Sequence, residues 1–230
     1  MHANHSISVP NNARSEFLSG VKSELPLMIG VIPFGMIYGI LAIAAGLPPA
    51  VAQAMSFIIF AGSSQFVSAQ LYGLGAPAIV NVFTVWVINL RHALYSASVS
   101  PYLQKLSTRW KLVLAYLLTD EAYAVTILHY QDEGNLDHKH WFFLGSGLTL
   151  WTCWQLSTAV GIFLGASVPA SWSLDFTLAL IFIALVIPSL KDKASFGAAL
   201  SAGLAAIILF SLPLKSGLLI ASLIGIGVAK

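Results

Sequence analysis

Apolar stretches recur along the chain at about 25–46, 50–72, 76–98, 112–130, 142–166, 174–190, 194–212 and 214–229, separated by short polar or proline-containing turns. A helix crossing the hydrocarbon core of a bilayer takes about 20 apolar residues. The first, third and fifth stretches meet that length comfortably. The last two are short and separated by little more than Pro213, which reads as a tight hairpin. No stretch alternates apolar and polar residues over strand length, so a barrel is not expected. The pattern predicts an all-α polytopic transmembrane helix bundle of about six to eight hydrophobic segments. A polar N-terminal segment at 1–24 precedes a single transmembrane domain at 25–230. Met1–Ser23 lacks a basic stretch followed by an apolar run and a cleavage site, so it does not read as a cleaved signal peptide.

The second stretch is interrupted by polarity. FAGSSQF at 60–66 places Gly62, Ser63, Ser64 and Gln65 near the middle of 50–72. Backbone polar groups in lipid must be satisfied internally, so a helix breaks only where the break faces protein or water. This stretch is expected to break and help form a transport site; the alternative is a continuous helix packed through small residues. On a continuous helix Ser56, Ser63 and Gln70 would share one face, with Gln53 near it. In the first span, Pro33-Phe34-Gly35 either unwinds the helix and exposes backbone groups or only kinks it, with Tyr38 about one turn beyond.

Composition and charge sharpen this picture. The chain is 57% hydrophobic and 9% charged, where a soluble domain carries about a quarter charged residues. A net charge of +2 gives no basis for nucleic-acid binding, and a single cysteine, Cys153, excludes an internal disulfide or a cysteine metal cluster. Eleven Lys and Arg residues test the topology. If 112–130 crosses while 50–72 and 174–190 each return to their own side, Arg14, Lys22, Arg91, Lys105, Arg109, Lys111, Lys191, Lys193 and Lys230 fall inside. Only Lys139 and Lys215 fall outside, which satisfies the positive-inside bias with a cytoplasmic N-terminus. The first and fifth segments then run in opposite directions. That predicts two inverted halves, 25–130 and 142–230, with interrupted helices and substrate near the midplane. Gly30–Gly46, Pro48-Pro49 and FAGSSQF would echo Gly145–Gly165, Pro169 and the 174–190 segment ending at Pro188.

Further candidates lie in the third and fourth spans. Asn89, Arg91 and His92 crowd one turn; Arg91 is either a snorkelling cation or a gate and anchor for acidic groups. His92 suits proton coupling by its intrinsic chemistry, against the plainer reading of a satisfied polar residue. Asp120-Glu121 falls in the middle of 112–130. Acids inside a membrane are costly when charged and point to function; burial favours their neutral form, so one of the two is suited to take up and release a proton. The other reading is a structural ion pair with Arg91. Trp141, Trp151, Trp154 and Trp172 include candidate interfacial anchors, and 131–140 reads as a solvated loop. The chain has neither a phosphate-cradling glycine loop with a following lysine nor an HExxH or GxSxG motif, so no catalytic residue, metal site or cofactor is expected.

Taken together, PFGMIYG at 33–39, FAGSSQF at 60–66, NLRHALYS at 89–96 and LTDEAYA at 118–124 resemble the AzlC family, the large subunits of branched-chain amino acid exporters. The resemblance runs from about residue 15 to the end. It implies secondary active export of valine, leucine, isoleucine and methionine across a bacterial inner membrane, with a small hydrophobic AzlD-type membrane subunit as partner. It does not name the binding residues. On polarity, Pro33, Phe34, Gly35, Tyr38, Phe60, Gly62, Ser63, Ser64 and Gln65 are candidates for the substrate. Asp120, Glu121, Asn89, Arg91 and His92 are candidates for proton coupling or gating. A scaffold or regulatory membrane subunit, or a passive amino acid channel, are the alternatives.

Overall fold

The computed structural model describes residues 12–132, 138–167, 192–210 and 217–228, and those residues form helices and connecting turns with no strand among them. Helix α1 (Ala13–Glu24) begins at a capping box: the Asn12 side chain accepts from the Ser15 backbone at 2.9 Å, and the Ser15 hydroxyl accepts from the Asn12 backbone at 3.1 Å. A short 3-10 turn at Leu25–Leu27 carries α1 into α2 (Met28–Ala44). Residues 12–24 of the polar N-terminal segment are therefore part of the bundle. Its helix buries Glu16, Gly20 and Glu24. Pro33 lies inside α2 on an exposed face, and the helix continues through it. Of the two readings of Pro33-Phe34-Gly35, the unwinding does not occur.

Helix α9 (Lys139–Ser167) runs along the whole of α1 and α2. The two approach at glycines, which let backbones touch where a side chain would hold them apart. Gly145 abuts the Phe17 carbonyl, Gly161 abuts the Met36 carbonyl, and Gly165 lies against Ile40. Residue numbers rise together along both helices, so the pair is parallel. The first and fifth segments do not run in opposite directions as the charge count predicted.

Helices α3 (Pro49–Ile59) and α4 (Gly62–Gly73) form a hairpin that enters from the end where α2 finishes. Gly73 comes back to sit against Ala45, whereas Gly62 at the tip touches Phe34 and Trp154. The tip thus lies eleven residues of α2 deeper, roughly 16 Å. Phe60 is left-handed, with φ 41°, and Ala61 is extended, so the expected interruption falls between Ile59 and Gly62. Helices α5 (Ala78–Asn89) and α6 (Arg91–Val99), joined at Leu90, then cross to the opposite end. There Lys139 caps the Tyr102 ring at 5.0 Å.

A second hairpin enters from that opposite end. Helix α7 (Thr108–Tyr116) starts with Trp110 against His140 and Trp141, and it reaches Trp151, whose indole N–H donates to the Tyr116 hydroxyl at 2.8 Å. Helix α8 (Asp120–Asp132) returns, with His129 stacked on Phe142 and the Tyr130 hydroxyl donating to the Lys139 carbonyl at 2.8 Å. The stretch 112–130 is therefore a broken, re-entrant pair and not one crossing. The tips of the two hairpins meet: the Tyr116 hydroxyl donates to the Phe57 carbonyl at 2.6 Å, and the Phe60 and Tyr116 rings lie 5.8 Å apart.

The resulting inversion differs from the predicted one. A long helix followed by a hairpin, α1 to α4, is succeeded by a long helix and a hairpin of opposite direction, α5 to α8. Lys139 consequently shares an end with Lys105, Arg109 and Lys111, where it was expected on the other side. The 174–190 segment, Pro169, Pro188 and Pro213 lie outside the described residues. Helices α10 (Lys193–Ile208) and α11 (Gly217–Val228) pack antiparallel, with Gly225 on Ala202 and Gly197 facing Val228. Asp192 caps α10, and the Ser195 backbone N–H it accepts holds its carboxyl below the usual range.

Two measurements check this arrangement. In a Cys153→Ser background, single cysteines at Ala50 and Leu74 should react with a membrane-impermeant maleimide from one face of the membrane, and one at Ser107 from the other. Labelling of Ala50→Cys and Leu74→Cys from opposite faces would show that α3 and α4 cross instead. Gly161→Leu drives a side chain into the Met36 backbone and should destabilise the purified protein by about 1–3 kcal/mol or more in thermal unfolding.

Candidate functional site

The two helix breaks face each other across a cavity at mid-depth. Phe60, Ala61, Gly62 and Ser63 line it from the first hairpin, and Thr119, Asp120 and Glu121 from the second. Val31 and Phe34 of α2, Arg91 and His92 of α6, and Leu150 and Trp154 of α9 close the sides. The cavity measures about 40 Å³. That holds water, whereas ligand pockets typically run to about 300–1,000 Å³. An amino acid therefore enters only if the hairpin tips part.

The first break is held by buried side chains. Gln65 is fully buried, and its Oε1 accepts from the Ala61 backbone N–H at 3.2 Å and from the Trp154 indole N–H at 3.2 Å. The Ser64 hydroxyl donates to the Ala61 carbonyl at 2.9 Å. The Gln65 bond satisfies the Ala61 N–H that a continuous helix would have paired, while the Ala61 carbonyl also accepts from the Gln65 backbone N–H at 3.0 Å. Phe34 stacks on Phe66 with ring centres 4.6 Å apart, and Tyr38 stacks on Trp154, which gives the cavity an aromatic wall.

The charged side is built at two helix starts. Asp120 and Glu121 occupy the first turn of α8, where the helix dipole favours negative charge. Arg91 opens α6 and pairs with Asp120. Among the described residues Arg91 Nε and Asp120 Oδ1 have no hydrogen-bond partner, so the pair keeps unused donor and acceptor capacity. His92 Nδ1 lies 3.1 Å from the Asn89 carbonyl. Arg91 lies at the depth of the hairpin tips and not at the membrane interface.

The residues singled out from sequence thus divide into two groups. Phe34, Phe60, Gly62, Ser63, Asp120, Glu121, Arg91 and His92 come together around the cavity. Ser64 and Gln65 build the break instead, Gly35 packs on Ser157, and Tyr38 donates to the Ala52 carbonyl at 3.0 Å. Pro33 and Asn89 do not line the cavity. The Gln53 and Ser56 face is spent on α9: Gln53 donates to Gln155 at 2.9 Å, and Ser56 and Thr158 share a hydrogen bond at 3.0 Å. Trp154 is no interfacial anchor, being 4% exposed and bonded to Gln65. Val31, Ala61, Thr119 and Leu150 were not singled out; small or apolar residues carry no sequence signal of this kind.

Two helical hairpins of opposite direction, meeting on a charged mid-depth cavity, define a helical membrane bundle built around a polar centre. Residues 26–168 match the family described as AzlC protein, and the chain belongs to that family. It is 30% identical over 212 residues to the inner membrane protein YgaZ of Escherichia coli, covering 89% of this chain and 86% of that one. It is 30% identical over 213 residues to the branched-chain amino acid transport protein AzlC of Bacillus subtilis, covering 89% and 82%. An uncharacterized membrane protein of Archaeoglobus fulgidus is 31% identical over 214 residues, covering 91% and 92%. No solved structure matches the chain.

The division between scaffold and cavity residues has a measurable consequence. Gln65→Leu orphans two buried donors, each worth about 1–3 kcal/mol, and should lower the thermal stability of the purified protein accordingly. Ser63→Ala, at an exposed position, should leave stability within about 0.5 kcal/mol.

Proposed function

We propose that this chain is a secondary active carrier that exports branched-chain amino acids and methionine, driven by protons, with a small AzlD-type membrane subunit as partner. The observation that carries the reading is the meeting of two oppositely entering hairpins on one cavity. Rocking one hairpin and its long helix against the other would open that cavity to one face at a time. The name of the Bacillus subtilis relative supports the substrate class. Arg14, Lys105, Arg109, Lys111 and Lys139 lie at the end of the bundle that holds the start of α1, which favours a cytoplasmic N-terminus in a bacterial inner membrane.

The Arg91–Asp120 pair matches the two ends of a zwitterion. A substrate carboxylate would take Arg91, helped by the free N-terminus of α4, and its ammonium would take Asp120. The exchange keeps the number of charge pairs constant while the aliphatic side chain meets Phe34, Phe60 and Trp154. Protonation of Asp120 or Glu121 removes the hold on the ammonium. Proton and substrate then compete for one site, which is the condition for antiport.

Efflux of preloaded labelled leucine from cells tests this reading, with and without an AzlD-type partner and with a protonophore. The expected result is partner-dependent efflux that collapses with the protonophore. Efflux driven only by the leucine gradient would favour a passive channel, and no flux of any branched-chain amino acid or methionine would favour a scaffold. The double variant Asp120→Asn, Glu121→Gln should insert normally and lose its response to the proton gradient.

A further inference from the structure

Below the cavity, on the side of the basic end, α1 and α8 pack antiparallel and bury a second set of ionisable groups. Glu16 and His129 pair at 3.0 Å, with side chains 9% and 12% exposed. Two helical turns further along α1, Glu24 is 0% exposed. The matching step back along α8 from His129 reaches Glu121, which lines the cavity. Glu24 Oε2 accepts from the Ser146 hydroxyl of α9 at 2.7 Å, while Oε1 has no partner among the described residues. No cation is paired with Glu24 among the described residues; the other titratable group of α9 near it is Cys153. Glu121 in turn feels Asp120 and Arg91 at the cavity.

Two carboxylates so placed, one fully buried and half unbonded, are costly to keep charged together. A single proton between them removes the repulsion, and a neutral acid can donate where a carboxylate cannot. Thr126 lies between the two levels of α8, fully buried and with its hydroxyl unpartnered among the described residues. The Glu24 and Glu16 levels are about 12 Å apart along α1. A proton crossing that distance needs a relay, and the Thr126 hydroxyl is a buried polar group placed between the two levels to serve as one.

We propose that Glu24 and Glu121 are a proton-sharing carboxyl pair, and that Glu16 and His129 are the port through which this proton exchanges with water at the basic end. The proposal rests on the carrier reading above and extends it. The proton taken up at the cavity by Glu121 passes to Glu24, then to His129, and leaves to solvent, so that each group ends in its starting state. Glu24 neither lines the cavity nor meets substrate; it acts through Glu121.

The test is made on the full chain with its partner in proteoliposomes, reading two fluxes of labelled leucine. One is net flux driven by an imposed pH gradient, and the other is exchange against unlabelled leucine at equal pH. Glu24→Gln should lower the driven flux at least tenfold and leave exchange within about twofold, and Glu24→Asp should recover part of the driven flux. His129→Asn should slow driven flux. Unchanged driven flux in Glu24→Gln, or exchange lost in parallel with it, would overturn the proposal; the second outcome assigns Glu24 a structural role. A wild-type protein that exchanges no leucine refutes the carrier reading instead. In that event, or if Glu24→Gln does not insert, labelling of the wild-type chain with dicyclohexylcarbodiimide, which modifies protonated carboxyls, decides. Modification at Glu24 that declines as pH rises from 6 to 9 supports the shared proton, and its absence throughout that range refutes it.

Discussion

Lipid offers no hydrogen bonds, and that constraint shapes every unusual feature of this chain. A helix end at mid-depth exposes N–H and C=O groups that water cannot reach freely. Here Gln65 and Ser64 answer the Ala61 backbone at the first break, and Trp154 of α9 shares the Gln65 oxygen. The break is stable only because α9 stands close enough to supply that indole. It stands close because glycines on α2 and α9 let the backbones touch. Close packing of two parallel helices is therefore the condition for a helix to break beside them.

The same arrangement sorts the polar residues by task. Those above the cavity, Gln53, Ser56, Gln155 and Thr158, bond one another and are used up in holding α3 on α9. Others retain free capacity: Arg91 Nε, Asp120 Oδ1, Glu24 Oε1 and Thr126 Oγ1, with Gln65 Nε2 and Asn89 Oδ1, have no partner among the described residues. Buried polar atoms without partners are rare in native structures and expensive. Four of those here lie at the cavity or between it and the basic end, where the proposed proton path runs.

Much of this was legible in the residues. The polar run at 60–66 marked a break because small and hydroxyl residues at the centre of an apolar stretch have few other uses, and Asp120, Glu121 and Arg91 stood out against a chain with 9% charged residues. The second break, at Leu117–Thr119, was not legible. Leucine and threonine are ordinary in a crossing helix, and what ends α7 there is contact with Gly147 and the meeting with Phe57 and Phe60. Treating 112–130 as one crossing then placed Lys139 on the wrong side and reversed the direction assigned to α9. Glu24 was also passed over, since an acid at the edge of an apolar stretch reads as an interfacial residue until a helix is found covering it.

By itself the sequence determined the solvent and the secondary structure: hydropathy reports whether a residue prefers lipid or water, and lipid permits helices. It also determined where charge would be costly, because an acid inside an apolar stretch is expensive in any fold that buries it. Direction and depth were decided only by tertiary structure. A re-entrant hairpin and a crossing helix have the same composition, and they differ in whether the chain turns back, which depends on what meets it at the tip. The cavity exists because two such tips, 57 residues apart in Phe60 and Leu117, arrive at the same depth from opposite ends.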